Sequence, residues 1–214
     1  MLQNMNAVIF DMDGVLVDNA HFHERAFVEY FSQYGTTFTP EMFGRSNEDL
    51  MAELFPNECK ERHQEFATGK EMYYRQIYEP HIKPVAGLVE LLKELKKNNI
   101  PIAVGSSAPV ENIDFVLDKL KIRNYFDVVV IAAMVQKAKP APDIYLKSAE
   151  LLNTKPENCL VFEDALAGIK AALSARMKVV GVATSLPKEK LTETNKIIND
   201  FTEITVAEIK LIIA

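Results

Sequence analysis

Ala7-Val8-Ile9-Phe10-Asp11-Met12-Asp13-Gly14-Val15-Leu16-Val17-Asp18 is the stretch on which the reading of this chain turns. Residues 7–10 are apolar and rich in β formers, too few for a helix and suited to a parallel strand buried on both faces. Two carboxylates one residue apart follow, and Gly14 breaks the strand behind them. Side chains two apart on a strand share a side, so Asp11 and Asp13 are expected to face one spot at the strand's carboxyl end. That is the edge at which open α/β sheets bind ligands. Two acids so close need a cation between them, or their pKa values must separate. A solvated acidic turn is the plain alternative, and the rest of the chain decides between the two.

At 214 residues the chain is long enough for one large domain or a domain carrying an insertion. Hydrophobic residues at 48% and charged residues at 25% are ordinary for a globular protein that buries a core. A formal net charge of −6 argues against a nucleic-acid or anionic-membrane surface, so an anionic substrate would need a local site. Cys59 and Cys159 are far apart and form no disulfide framework, which points to a reducing, cytoplasmic setting. No basic-then-apolar leader and no run near the ~20 apolar residues of a membrane span is expected here.

Residues 21–34 read as a helix, with Phe22, Ala26, Phe27, Tyr30 and Phe31 at three- and four-residue spacing and Gly35 closing it. Thr39-Pro40-Glu41 opens a short helical turn, 44–46 is a loop, and Asn47 caps a helix through residue 54. Pro56 opens a longer polar helix expected to pack through Phe66, Met72, Tyr73, Ile77 and Tyr78. Residues 18–81 thus hold helices only, too long a span for a βα crossover and consistent with a small inserted helical domain. From Pro84 strands and helices alternate. Strands at 100–104, 126–131, 159–162 and 178–182 are flanked by helices at 87–98, 110–120, 142–152 and 165–175. That rhythm predicts an α/β fold, a doubly wound parallel sheet with helices on both sides, formed by residues 1–17 and 82–214. Every strand then ends on one rim, and Asp11/Asp13, Ser106, Lys139 and Glu163/Asp164 all fall there or in its loops.

Taken together these clusters suit one site. Asp11 can attack phosphorus as a carboxylate. Ser106 or Ser107 can hold a phosphoryl oxygen, the alternative being a cap on the helix before Val110. Lys139 lies in Lys137-Ala138-Lys139-Pro140-Ala141-Pro142-Asp143, where two prolines are expected to hold an extended segment and aim a lysine inward. Lys139 is preferred over Lys137 for its adjacency to Pro140. Glu163 and Asp164 complete an oxygen-only cage suited to Mg²⁺, unless one of them simply caps the following helix.

Asp-x-Asp-Gly-Val-Leu-Val-Asp, Gly-Ser-Ser, Lys-Pro-Ala-Pro-Asp-Ile-Tyr and Glu-Asp-Ala-x-Ala-Gly-Ile, in that order, resemble the haloacid dehalogenase superfamily. The closer likeness is to its branch of β-phosphoglucomutase-like enzymes and small phosphatases, with a Rossmann-like core and a mobile α-helical cap. The resemblance implies Asp11 as nucleophile forming an aspartyl phosphate and Asp13 as general acid/base. It implies Mg²⁺ on Asp11, the Asp13 backbone carbonyl, Glu163 and Asp164, with Ser106 and Lys139 holding the transferring group. Asn19 and His23 follow the first strand at the hinge and are expected to face the cleft if the helix starts near Ala20; the resemblance implies substrate contacts from His23 and Lys70, whose plain readings are solvated helix residues. Where the mutases carry an arginine that grips a second phosphate, this chain has Asn47, with Arg45 as a stand-in two residues earlier. Where they carry Ser-Lys-Asn after the motif serine, it has Ala108-Pro109-Val110.

The expectation is therefore a Mg²⁺-dependent phosphatase acting on a small phosphorylated metabolite, sugar phosphate first. A phosphomutase is second, and a non-catalytic metabolite-binding regulator third. No nucleic-acid or membrane partner is expected, and the chain is expected to be a monomer or weak dimer.

Overall fold

The computed structural model describes residues 6–36 and 47–214, with 47–49 described by their backbone alone. Two compact units emerge: Met1–Asp18 with Lys83–Ala214, and Asn19–Ile82.

The first unit is built on a parallel sheet whose described strands are β1 (Ala7–Phe10), β2 (Ile102–Ser106), β3 (Val128–Ile131), β4 (Cys159–Glu163), β5 (Lys178–Val182) and β6 (Lys196–Ile198). Their spatial order is β3-β2-β1-β4-β5-β6, so the chain winds outward from β1 in both directions. The helices of this unit are α4 (Leu88–Lys97), α5 (Val110–Lys119), α6 (Asp143–Leu151), α7 (Leu166–Ser174) and α8 (Val206–Ile213). β1 is fully buried because both its neighbours and both its faces are covered. Ala7 and Ile9 belong to one core cluster with Ile144, Tyr145 and Ala149 of α6 and Ile169 and Ala172 of α7. Phe10 points to the opposite face, stacked on Phe162 at 4.9 Å and set against Phe201 at 5.8 Å. β6 and α8 were not read from the sequence. β6 has only 3 residues at the sheet's edge, whereas α8 does carry a local signature, the Thr205–Glu208 capping box.

β1 stops at Phe10, and Asp11 adds one more ladder bond, its N–H donating to the Phe162 carbonyl at 3.0 Å. The chain then turns. Leu16 N–H donates to the Met12 carbonyl and Gly14 N–H to that of Val17, both at 2.8 Å, with Gly14 at φ +76. Asp11 and Asp13 are thus placed by a turn rather than by the two-residue repeat of a strand. The proline segment departs from expectation too. The Lys139–Pro140 bond is cis, and Ala141 N–H donates to the Ala138 carbonyl at 3.0 Å. A turn, not an extended run, carries Lys139.

The second unit contains α1 (Ala20–Ser32), α2 (Asn47–Leu54) and α3 (Lys60–Tyr78). Phe27 and Phe31 of α1, Leu50 and Met51 of α2, and Phe66 and Ala67 of α3 form its core. On α3 the buried positions run Phe66, Ala67, Lys70, Glu71, Tyr74 and Tyr78, a clean helical stripe. Met72 is off that stripe and 60% exposed, which corrects its expected packing role. The helical turn read at 39–41 and the loop at 44–46 lie outside the described residues.

Candidate active site

Register brings three strand ends together. Phe10 pairs with Val104 of β2 on one side and Phe162 of β4 on the other. Asp11 therefore leaves β1 between Ser106, two residues beyond Val104, and Glu163, one beyond Phe162. Lys139 arrives from the loop after β3. Its ammonium donates to Asp11 Oδ1 and to Glu163 Oε1, each at 2.6 Å. Lys137 is exposed, and Lys139 is the lysine that bonds Asp11.

One ligand atom each from Asp11, Glu163 and Asp164 lies within 4.8 Å of the others, the grouping of this kind found among the described residues. The close approach depends on two glycines. A Cβ on Gly14 would sit 1.8 Å from Asp164 Oδ2, and one on Gly168 would sit 1.7 Å from Glu163 Oε1. Glu163 is held at both oxygens. Oε1 also accepts from the Tyr145 hydroxyl at 2.5 Å, and Oε2 accepts from the backbone N–H groups of Asp164 and Ala165 at 3.0 and 3.2 Å. Neither acid caps α7, whose N-cap is Ala165 with no side-chain cap bond. Asp13 stands outside the three-carboxylate group, close enough for its charge to act on Asp11.

Asp11 and Glu163 share the Lys139 ammonium with Asp164 close by, and the crowding shows in the raised pKa values of Asp11 and Asp164. Burial, helped by the Glu163 and Asp13 charges, pushes Asp11 up to about 7 against the pull of Lys139. Burial, then Glu163 and Asp11, holds Asp164 well above the carboxylate range, with a hydrogen bond to Ser185 pulling the other way. Burial opposes the charge on Lys139, but Asp11 and Glu163 more than offset it and raise its pKa. Burial and Glu163 likewise raise the Tyr145 phenol, which stays a donor. Oxygen-only ligands short of positive charge are what a hard divalent cation satisfies, so the residues present fit Mg²⁺.

Ser106 is buried at the end of β2, and its hydroxyl oxygen accepts from Ala108 N–H at 3.1 Å, leaving its proton to give elsewhere. Ser107 is exposed. Neither caps α5, whose N-cap is Pro109. In the helical unit Asn19 Nδ2 donates to Tyr74 Oη at 2.6 Å and lies 3.3 Å from His23 Nε2, while the His23 ring stacks on Tyr74 at 3.8 Å. The buried Lys70 ammonium donates to Glu71. Arg45 lies outside the described residues, and Asn47 begins α2.

Tyr145, Gly168, Thr184 and Ser185 were missed as site residues. Thr184 donates to the Gly14 carbonyl and so ties the loop after β5 to the turn after β1. The signal was present: Thr184-Ser185 follow a strand's carboxyl end as the other clusters do, and Tyr145 closes the proline motif.

A family model described as haloacid dehalogenase-like hydrolase matches residues 8–182. The chain is 34% identical over 188 residues to the phosphorylated carbohydrates phosphatase of Thermotoga maritima, spanning 85% of this chain and 87% of that one. It is also 34% identical over 195 residues to the β-phosphoglucomutase of Bacillus subtilis, spanning 86% and 85%. Among solved structures, a family IA haloacid dehalogenase hydrolase from Entamoeba histolytica aligns with a TM-score of 0.89 at 31% identity, over 98% of this chain and 99% of that one. Among the described residues no helix is long and apolar enough to cross a membrane.

Proposed function

We propose that this chain, which belongs to the haloacid dehalogenase-like hydrolase family, is a Mg²⁺-dependent phosphatase that releases phosphate from a small phosphorylated metabolite, a sugar phosphate first. The observation that carries the reading is the Lys139 ammonium held on Asp11 Oδ1 at 2.6 Å, inside a cluster of acids that calls for a second cation.

Asp11 is the nucleophile. Its carboxylate attacks phosphorus, the bond from phosphorus to the ester oxygen breaks, and Asp13 gives a proton to the departing oxygen. Asp13 then takes a proton from water as that water attacks phosphorus, which frees Asp11 and releases phosphate. Lys139 neutralises the phosphoryl oxygens where they approach Asp11, and Ser106 donates its hydroxyl proton to one of them. Mg²⁺, when bound, would offset the charge of the dianion and orient it. Asp11, Glu163, Asp164 and the Asp13 carbonyl are the groups that would hold it, Glu163 being the one that also accepts from Lys139 and Tyr145. Asn19, His23 and Lys70 are the helical unit's candidate substrate contacts.

A phosphomutase is the second reading, favoured by the identity to the Bacillus subtilis enzyme. Such an enzyme must retain a bisphosphate through a second anion site, and charge-assisted bonds from Arg or Lys are the usual means. Loop residues 107–109, Ser-Ala-Pro, offer no cation, and Asn47 stands where the mutases carry the arginine that grips the second phosphate. Both features support hydrolysis. The test is a panel of phosphorylated metabolites scored for released phosphate, beside an enzyme-linked assay for glucose 6-phosphate formed from β-glucose 1-phosphate. Phosphate release should dominate; isomerisation that outpaces it overturns the phosphatase reading and makes Arg45 the candidate clamp.

A further inference from the structure

We propose, building on the phosphatase reading above, that Tyr145 is a positioning residue: through Glu163 its hydroxyl fixes the Lys139 ammonium against Asp11. Lysine is a long side chain with much rotamer freedom to lose, and this one comes from a loop whose neighbours Lys137 and Ala138 are exposed. Something else must aim it. Tyr145 is fully buried on α6, with its ring face 4.9 Å from Lys139 Nζ and its hydroxyl 2.5 Å from Glu163 Oε1. One side chain therefore touches both the cation, by its ring, and the anion that shares that cation with Asp11, by its hydroxyl.

Glu163 transmits the position because it has nowhere else to go. Its Oε2 is anchored by two backbone N–H groups, and α7 approaches so closely at Gly168 that a single added carbon would meet Oε1 at 1.7 Å. With the hydroxyl in place, Oε1 divides its charge between two donors, and Lys139 is shared with Asp11 at equal 2.6 Å distances. Without it, Oε1 has Lys139 as its one side-chain donor. The ammonium is then drawn toward Glu163 and away from the group being transferred. Contacts that strengthen on the way to the transition state act on kcat rather than on KM.

The experiment compares the parent, Tyr145→Phe, Glu163→Gln and the double variant on p-nitrophenyl phosphate at saturating Mg²⁺. Tyr145→Phe keeps the ring and should lower kcat about tenfold, the scale of one hydrogen bond, with KM moving less than about twofold. In the Glu163→Gln background the same change should cost nothing more, because the neutral amide no longer carries the charge through which the hydroxyl positions the Lys139 ammonium. An unchanged kcat, a loss in KM alone, or losses that multiply in the double variant overturns the proposal. A proton NMR arm needs neither turnover nor Mg²⁺. The parent should show a slowly exchanging hydroxyl proton that is absent in Tyr145→Phe and displaced in Glu163→Gln; its absence from the parent also overturns the proposal. If no ester is hydrolysed, the phosphatase reading fails while the NMR arm still decides Tyr145. If Tyr145→Phe does not fold, the displacement in Glu163→Gln decides it.

Discussion

The two units bury charge in opposite ways. Among the described residues of the helical unit the buried Lys70 ammonium is paired with the buried Glu71 carboxylate, and the polar groups Asn19, His23 and Tyr74 engage one another. In the α/β unit three buried acids cluster around one another, and a single ammonium, Lys139, pairs with two of them. A balanced pair is a finished structure. Asp11 and Asp164, raised in pKa by burial and by the carboxylates around them, are an unfinished one, and that imbalance supports the proposal that a cation and an anionic substrate are received there. The contrast supports placing the proposed chemistry in the α/β unit, on electrostatic grounds independent of family likeness.

Removing the central acid tests the contrast most severely. Asp11→Asn should cost at least ~1,000-fold in phosphate release, since an amide cannot attack phosphorus. It should fold normally and, without metal at pH 8, melt higher than the parent, because it removes a carboxylate that burial disfavours. Near-parental turnover in the purified variant would remove Asp11 as nucleophile; a lower melting temperature without metal would refute the charge imbalance.

Glu71→Gln probes the balanced pair. It leaves the buried Lys70 ammonium without its ion partner and should destabilise the helical unit by roughly 3 kcal/mol. Mg²⁺ affinity, measured by calorimetry, should be unchanged. Urea unfolding that shows no loss would mean that the pair does not contribute as its burial suggests.

The mildest expected effect concerns pH. Asp11 binds its proton more tightly in the folded chain, at about 7 against an ordinary 3.8. Its contribution to metal-free stability is therefore full below about pH 4 and is lost as pH rises through 7. Mg²⁺ competes with that proton, so its affinity should fall by roughly tenfold per pH unit below 7. Melting curves with Mg²⁺ and with EDTA between pH 5 and 8 should diverge as pH rises. A Mg²⁺-induced shift that is constant across that range would refute a raised Asp11.

The sheet was legible because each central strand is a short apolar run ended by a turn signal, and the helical unit because its apolar residues recur at helical spacing. Boundaries slipped where tertiary contacts prolong an element. β2 runs through Gly105 and Ser106 because β3 pairs with it there, and β4 takes in Glu163 because it pairs with Gly181. The packing face of α3 was misread at Met72 because five apolar candidates on a polar helix allow more than one stripe.

By itself the sequence determined that carboxylates, a serine and a lysine lie at the carboxyl ends of successive parallel strands, because that placement follows from strand order and chain direction alone. Only the tertiary structure decided which lysine reaches Asp11, that Glu163 holds that lysine instead of capping a helix, and that Asp13 sits apart from the three-carboxylate group. Those outcomes depend on where a turn closes, on how near α7 comes at Gly168, and on a tyrosine whose hydroxyl meets Glu163 from another helix. Distances of that kind are set by packing between segments far apart in the chain, to which no local pattern of residues is sensitive.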